Sequence, residues 1–198
     1  MHAPRPLAAA LAAVCLSLAA SAAAAPPPSD TGMRVAHALF SAVDMASLVR
    51  EGALQNAGAL TAFEKVRPAW KGMFLDAAQE AIVKDQAGME MAMARVFARD
   101  FSDEELSAAL TVFSDPQAKL ALAAAARHQP LPNAGAPCAQ ACVRAMNSPA
   151  GRSFLAKFSK AFSGPELQSE MMAAVVPDLF IIFGEKAKAA EAKGAGGL

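Results

Sequence analysis

The chain has 198 residues, of which 55% are hydrophobic, and it carries 18 basic and 18 acidic side chains. This length suits one domain of ordinary size. Much of the apolar excess is alanine, the strongest helix former, whereas tyrosine is absent and tryptophan occurs once. We therefore expect an all-α fold, and the balanced charge excludes the basic footprint of a nucleic-acid-binding protein.

The N-terminal segment 1–25 has the composition of a secretory signal peptide. Arg5 precedes an apolar stretch that ends in small residues before Pro26. Cleavage between Ala22 and Ala25 would leave 17 basic and 18 acidic residues, a net charge of −1. An uncleaved membrane anchor is the alternative. We expect a periplasmic or secreted bacterial protein, with an all-α domain over 26–190 and a flexible tail over 191–198.

The first half of the domain predicts a series of amphipathic helices. Ser29 or Asp30 can cap a helix over 31–41, and Asp44 can cap one over 45–56. A capping box over 61–64 begins the next element. A longer helix starts at Pro68, and Gly88 is expected to divide it from a helix over 89–99. One apolar face of the longer helix has i, i+4 spacing: Trp70, Phe74, Ala78 and Ile82.

The stretch "FSDEELSAALTVFSDPQAK", residues 101–119, encodes two helix starts in succession. Ser102 and Glu105 have the spacing of a capping box. Asp115 and Pro116 then supply a cap and a first-position proline. The same pair of signals recurs at Ser148 and Pro149. These six side chains are therefore predicted to be structural caps.

The last helix is predicted to start after Ser163-Gly164-Pro165 and to kink at Pro177, because proline removes one helical hydrogen bond. Beyond Gly184 the chain is expected to fray. The apolar run over 171–183 is interrupted at 177–178 and is shorter than the ~18 residues of a membrane span. We therefore expect no integral membrane segment after signal cleavage. The run should dock through five side chains: Met171, Val175, Leu179, Ile182 and Phe183.

Three features resemble a bacterial exported family, the domain-of-unknown-function family twenty-fifty-nine. They are Trp70, the segment "VFARDFSDEELSAALTVF" with the Asp-Pro helix start after it, and the earlier "VDMASLV". The family's Phe-Tyr pair is replaced here by Val112-Phe113. The closest form of its Ser-Pro-x-Gly motif lies later, at 148–152. The resemblance implies a helical exported protein of unknown activity and supplies no catalytic residues.

Residue types that often carry chemistry have structural explanations in this sequence. Met89 and Met93 share a helical face, whereas Met91 does not, which favours core packing over a copper site. His37 and His128 lie in helical stretches and match no zinc spacing. The acids 103–105 diverge at a helix start, which favours capping over acid–base catalysis. We predict no catalytic residue, no metal and no cofactor.

Cys138 and Cys142 are predicted to form a disulfide in the exported protein. On a regular helix, residues four apart hold their Cβ atoms about 5–6 Å from each other, farther than a disulfide permits. The bond therefore requires an irregular first turn after Pro137. Two buried free thiols, or a redox pair, are the alternatives.

We expect about seven or eight helices in a single bundle-like domain. The expected role is non-enzymatic: a protein-interaction or envelope-maintenance function with a protein partner or with a second copy. The alternative is a binding module for a small apolar ligand, which should contain a closed apolar pocket of at least ~300 Å³.

Overall fold

The computed structural model describes residues 27–47, 67–127, 129, 138–162 and 164–195. These ranges contain helices and no strand, so the all-α prediction is confirmed for them. A short helical segment also occupies residues 45–47. The longer helices, numbered here in chain order, are α1 (Asp30–Ala42), α2 (Pro68–Lys84), α3 (Gln86–Asp100), α4 (Asp103–Phe113), α5 (Pro116–Ala126), α6 (Gln140–Asn147), α7 (Pro149–Phe162) and α8 (Pro165–Ala195).

The core lies where α3, α4 and α7 meet. Phenylalanine rings from these helices and from the α3–α4 junction contact one another: Phe101 and Phe154 have ring centroids 4.9 Å apart, and Phe154 and Phe158 have centroids 5.2 Å apart. Helix α1 covers one side through Val35 and Leu39, both buried. Aromatic contacts therefore hold the helices against one another, which local helix propensity does not do.

Helix α8 lies antiparallel along α3 and then along α2. Its first half forms ion pairs with α3, and its second half pairs with α2 and with Arg67 just before it. These pairs are Arg99–Glu166 at 2.6 Å, Arg95–Glu170 at 3.9 Å, Lys84–Asp178 at 2.9 Å, Glu80–Lys186 at 2.9 Å and Arg67–Glu191 at 2.6 Å. The predicted docking residues Val175, Leu179 and Ile182 are buried, and Met171 and Phe183 pack against the core.

Two predicted boundaries are wrong. The break between α2 and α3 falls at Asp85, where the backbone leaves helical geometry, and not at Gly88. A Cβ atom at Gly88 would lie 3.4 Å from the Cβ of Ala174, so this glycine serves the close approach of α3 and α8. The expected frayed tail is helical to Ala195, and the ion pair of Glu191 with Arg67 holds it.

Several predictions lie outside the described residues: the signal peptide, most of the helix over 45–56, the capping box over 61–64, and His128. The kink at Pro177 stays a prediction. Helix α8 continues through that residue.

Candidate functional site

The predicted capping box is present at the start of α4. The backbone N–H of Ser102 donates to Glu105 Oε2 at 2.8 Å, and the N–H of Glu105 donates to Ser102 Oγ at 3.3 Å. Lys157 Nζ lies 2.8 Å from the same carboxylate, and the Ser153 hydroxyl also donates to it. Glu105 therefore ties α4 to α7 as well as capping α4.

Asp115 also has more than a capping role. Its Oδ1 accepts from the backbone N–H groups of Gln117 at 2.9 Å and Ala118 at 3.0 Å, and Pro116 is the first residue of α5. Its Oδ2 accepts from the N–H of Ala139 at 3.0 Å, across 24 residues of sequence. The amide of Ala118 chiefly lowers the pKa of Asp115, and the amides of Ala139 and Gln117 outweigh the effect of burial.

The two cysteines lie beside this carboxylate. Cys138 is half-buried and precedes α6, and Cys142, which is 1% exposed, lies in that helix. One oxygen of Asp115 and the two Sγ atoms all lie within 4.8 Å of one another. Burial, followed by the hydrogen bond and charge of Cys138, raises the pKa of Cys142 to about 12.

Both thiols are free, so the disulfide stays a prediction. The turn before α6 is irregular, because Ala139 has a non-helical backbone and Cys138 lies outside α6. Helix α6 begins at Gln140, two residues after Cys138. Met146 adds a third sulfur, with Sδ 4.0 Å from Cys142 Sγ.

The junction of α6 and α7 fixes the position of Met146. Ser148 Oγ accepts from the N–H of Gly151 at 2.9 Å and donates to the carbonyl of Ala145 at 2.7 Å, and Pro149 is the first residue of α7. A Cβ atom at Gly151 would lie only 1.9 Å from the oxygen of Ala145. No side chain fits there, so glycine is required for this tight corner.

The remaining candidate side chains have structural surroundings. Met89 and Met93 are buried while Met91 is exposed, as core packing on one face predicts. His37 Nδ1 lies 3.2 Å from the carboxylate of Glu90. Glu90 also accepts from the side chain of Gln86 at 2.8 Å.

A second feature is the outward face of α8. Ile181 is 56% exposed, and the exposed residues that share its side of the helix are Ala173, Pro177 and Phe180. Within the described ranges, α8 is the single helix long and apolar enough to cross a membrane, from Pro165 to Ala192. Only 22% of its most apolar window is fully buried, and the rest is half-buried or exposed.

The two cysteines and the caps were predicted from the sequence, but the proximity of the cap residue Asp115 to the thiols was not. Asp115 joins the thiols through a contact 24 residues away, and no local pattern encodes it. The spacing of Cys142 and Met146 does contain a signal, because residues four apart share a helical face. Comparisons with protein-family models, with curated proteins and with solved structures find no match to this chain, and the family resemblance stays a prediction from its residues.

Proposed function

We propose that this is a non-enzymatic exported protein that associates with a second copy of itself through the outward face of α8. The observation that carries the proposal is the set of large apolar side chains on that face, with Ile181 more than half exposed. Large apolar side chains grouped on an exposed helix face favour an interaction site. An envelope-maintenance role would follow from the assembly formed in the exported compartment.

The face is suited to pairing with itself. In an antiparallel two-fold pairing centred on Pro177, residues equally far from position 177 face each other across the interface. Ala173 of one copy then lies opposite Ile181 of the other, because each is four residues from Pro177. A small side chain opposite a large one permits close helix packing.

The ion pairs of α8 support a protein partner over a lipid one. Asp178 and Lys186 pair with Lys84 and Glu80 of α2, and Glu166 and Glu170 pair with arginines of α3. Charged groups inside a membrane are costly, and a span would strip these four pairs of water. The same pairs hold the opposite face of α8 against the domain.

The cavities disfavour the small-ligand alternative. The apolar cavity between α4 and α7, lined by residues such as Phe113 and Phe154, has a volume of only about 10 Å³. A separate groove of about 600 Å³ is open to solvent and has charged residues in its lining, including Arg99, Lys157 and Glu166. Among the described residues, neither is the closed apolar pocket that a drug-sized apolar ligand needs.

The capping roles of Glu105 and Asp115 support a non-enzymatic function. Both carboxylates are engaged by backbone N–H groups at helix starts. A general acid or base has to reach a substrate proton, and these groups are already occupied.

The test is sedimentation equilibrium of the exported protein, with Ile181→Glu as the disrupting variant. We expect the wild type to be dimeric and Ile181→Glu to be monomeric with an unchanged helical spectrum. Leu120→Glu, at a similarly exposed apolar position on α5, is the matched control and should stay dimeric. A monomeric wild type would contradict the proposal. Flotation with phosphatidylglycerol vesicles that Ile181→Glu abolishes would replace it with membrane binding.

A further inference from the structure

Four potential metal ligands meet where the start of α5 contacts α6. They are the carboxylate of Asp115, the thiols of Cys138 and Cys142, and the thioether of Met146. Asp115 and Cys142 are buried, Cys138 is half-buried and Met146 lies at the edge. This assembly is separate from the outward face of α8, and the self-association proposed above makes no use of it.

The distances fit one shared ion. Metal–sulfur bonds of about 2.3 Å place two sulfur ligands about 3.8 Å apart in tetrahedral geometry and about 4.0 Å apart in trigonal geometry. Cys142 Sγ and Met146 Sδ are 4.0 Å apart. The two Sγ atoms and the nearest Asp115 oxygen fall within 4.8 Å of one another. Cys142 Sγ therefore lies close to both other sulfurs, and side-chain rotations of Cys138 and Met146 would complete a shared centre.

The surroundings hold the ligands in place. Three backbone N–H groups fix the carboxylate of Asp115, and one of them, from Ala139, is adjacent to Cys138. The close contact of Gly151 with Ala145 fixes the end of α6 that bears Met146. The negative charge of Asp115 attracts a cation to the pair of thiols.

The donor set identifies the class of ion. Thiolates and thioethers are soft ligands that suit Cu(I) and Zn²⁺, whereas carboxylates suit harder ions. The oxygens of Asp115 already accept three backbone hydrogen bonds, which leaves this residue a positioning role beside the metal. Zn²⁺ would instead need the carboxylate as a direct ligand to complete a tetrahedral site.

We propose that Cys138, Cys142 and Met146 bind one Cu(I) ion, with Asp115 as the positioning residue. Each cysteine loses its thiol proton to solvent as its sulfur–copper bond forms, and the copper keeps its oxidation state. The site would hold copper at the rim of the domain, with Met146 and Cys138 facing the entry side.

The test is an anaerobic titration of the full exported chain, reduced with a thiol-free phosphine, against a coloured Cu(I) chelator. We expect one Cu(I) per chain and a near-ultraviolet thiolate–copper absorption band. Cys138→Ser should abolish the band and weaken binding by about 100-fold or more, by the scale of metal-site mutations. Cys138 is chosen because it is only half-buried, so its replacement spares the packing around Cys142.

Two further variants separate the ligand roles. Met146→Leu should weaken Cu(I) binding about 10-fold, whereas Met91→Leu, at a similarly exposed methionine on α3, should leave it unchanged. Asp115→Asn keeps one capping oxygen but removes the negative charge and one acceptor, so it should weaken Cu(I) binding about 10-fold while the thiolate–copper band remains.

Three outcomes would overturn the proposal. The first is that the reduced wild type binds no Cu(I), or that Cys138→Ser binds Cu(I) as tightly as the wild type does. The second is Zn²⁺ binding that survives Cu(I) competition and is lost in Asp115→Asn, which would assign a Cys-Cys-Asp zinc site. The third is a sulfur pair that resists reduction in the folded protein, which would make the cysteines a structural disulfide.

Discussion

Glu105 and Asp85 are both acids at junctions between helices, and their pKa values are shifted in opposite directions. Burial disfavours the charge of Glu105, but hydrogen bonds from Lys157, Ser153 and the Ser102 amide outweigh it, and the pKa falls to about 2. Burial likewise raises the pKa of Asp85, and there the negative charge and hydrogen bond of Asp178 raise it further. The partners of a buried carboxyl, more than its burial, decide whether it is ionised.

The neighbouring lysines explain the contrast. Lys157 reaches directly to Glu105 at 2.8 Å. Lys84 instead lies 2.9 Å from Asp178, and its hydrogen bond is the main cause of the lowered pKa of Asp178. Asp85 therefore faces a carboxylate, and its Oδ2 is buried without a hydrogen-bond partner among the described residues. One junction is fully satisfied, and the other retains an electrostatic cost.

The largest expected effect is the loss of the satisfied junction. Glu105→Ala should lower the free energy of unfolding by about 3 kcal/mol, because it removes the cap and leaves Ser153 and Lys157 without their shared acceptor. Chemical denaturation measures this change. Glu104→Ala, at the exposed neighbouring position in the same helical turn, should change stability by less than about 0.5 kcal/mol. Equal losses in the two variants would show that Glu105 contributes no more than surface charge.

The second effect is a pH dependence of stability. The folded pKa of Glu105 is about 2, below its ordinary 4.5, so its contribution is fully present above pH 4.5 and is lost as the pH falls toward 2. Glu105→Gln should flatten the acid limb of the stability curve by roughly 2 kcal/mol over this window, a figure discounted for the half-exposed Lys157. Urea unfolding across the window measures it. Parallel curves for wild type and variant would contradict the assignment.

The smallest effect concerns Asp85, and its sign is opposite. Because the folded pKa of Asp85 is raised, its charged form destabilises the protein at pH values above the folded pKa, and protonation relieves this cost. Asp85→Asn removes the repulsion from Asp178 and should stabilise the protein by up to about 1 kcal/mol near neutral pH. Thermal melting of this variant and of Asp76→Asn, an exposed site on α2, gives the comparison. A destabilised Asp85→Asn would mean that the two carboxyls share a needed hydrogen bond.

Local patterns predicted much of the helical fold. The capping box of Ser102 and Glu105, and the start at Pro116, depend on side chains three or fewer residues apart. The break was predicted at Gly88 and not at Asp85, because glycine marks a weak point in a helix. In the structure, Gly88 instead permits the close contact of α3 with Ala174. The helical end of α8 was missed because an ion pair with Arg67 stabilises it from far along the chain.

The candidate copper site could not be predicted from the sequence either, because it also depends on a contact between residues far apart in the chain. Each cysteine could be placed near the start of α6, but the carboxylate beside them belongs to the cap of α5. Its identity as a neighbour depends on the contact between the residues that precede α5 and α6, and no spacing between residues 115 and 138 encodes that contact. The sequence expectation of no metal was drawn without this contact.

The antiparallel course of α8 has a consequence for folding order. Helix α8 spans the break at Asp85, because one half forms ion pairs with α3 and the other half with α2. Its contact between Arg67 and Glu191 closes a loop across 124 positions. Long loops of this kind close late and slowly, because the chain loses conformational entropy before the stabilising contacts form. We therefore expect the angle between α2 and α3 to become fixed late in folding, when α8 packs along both helices.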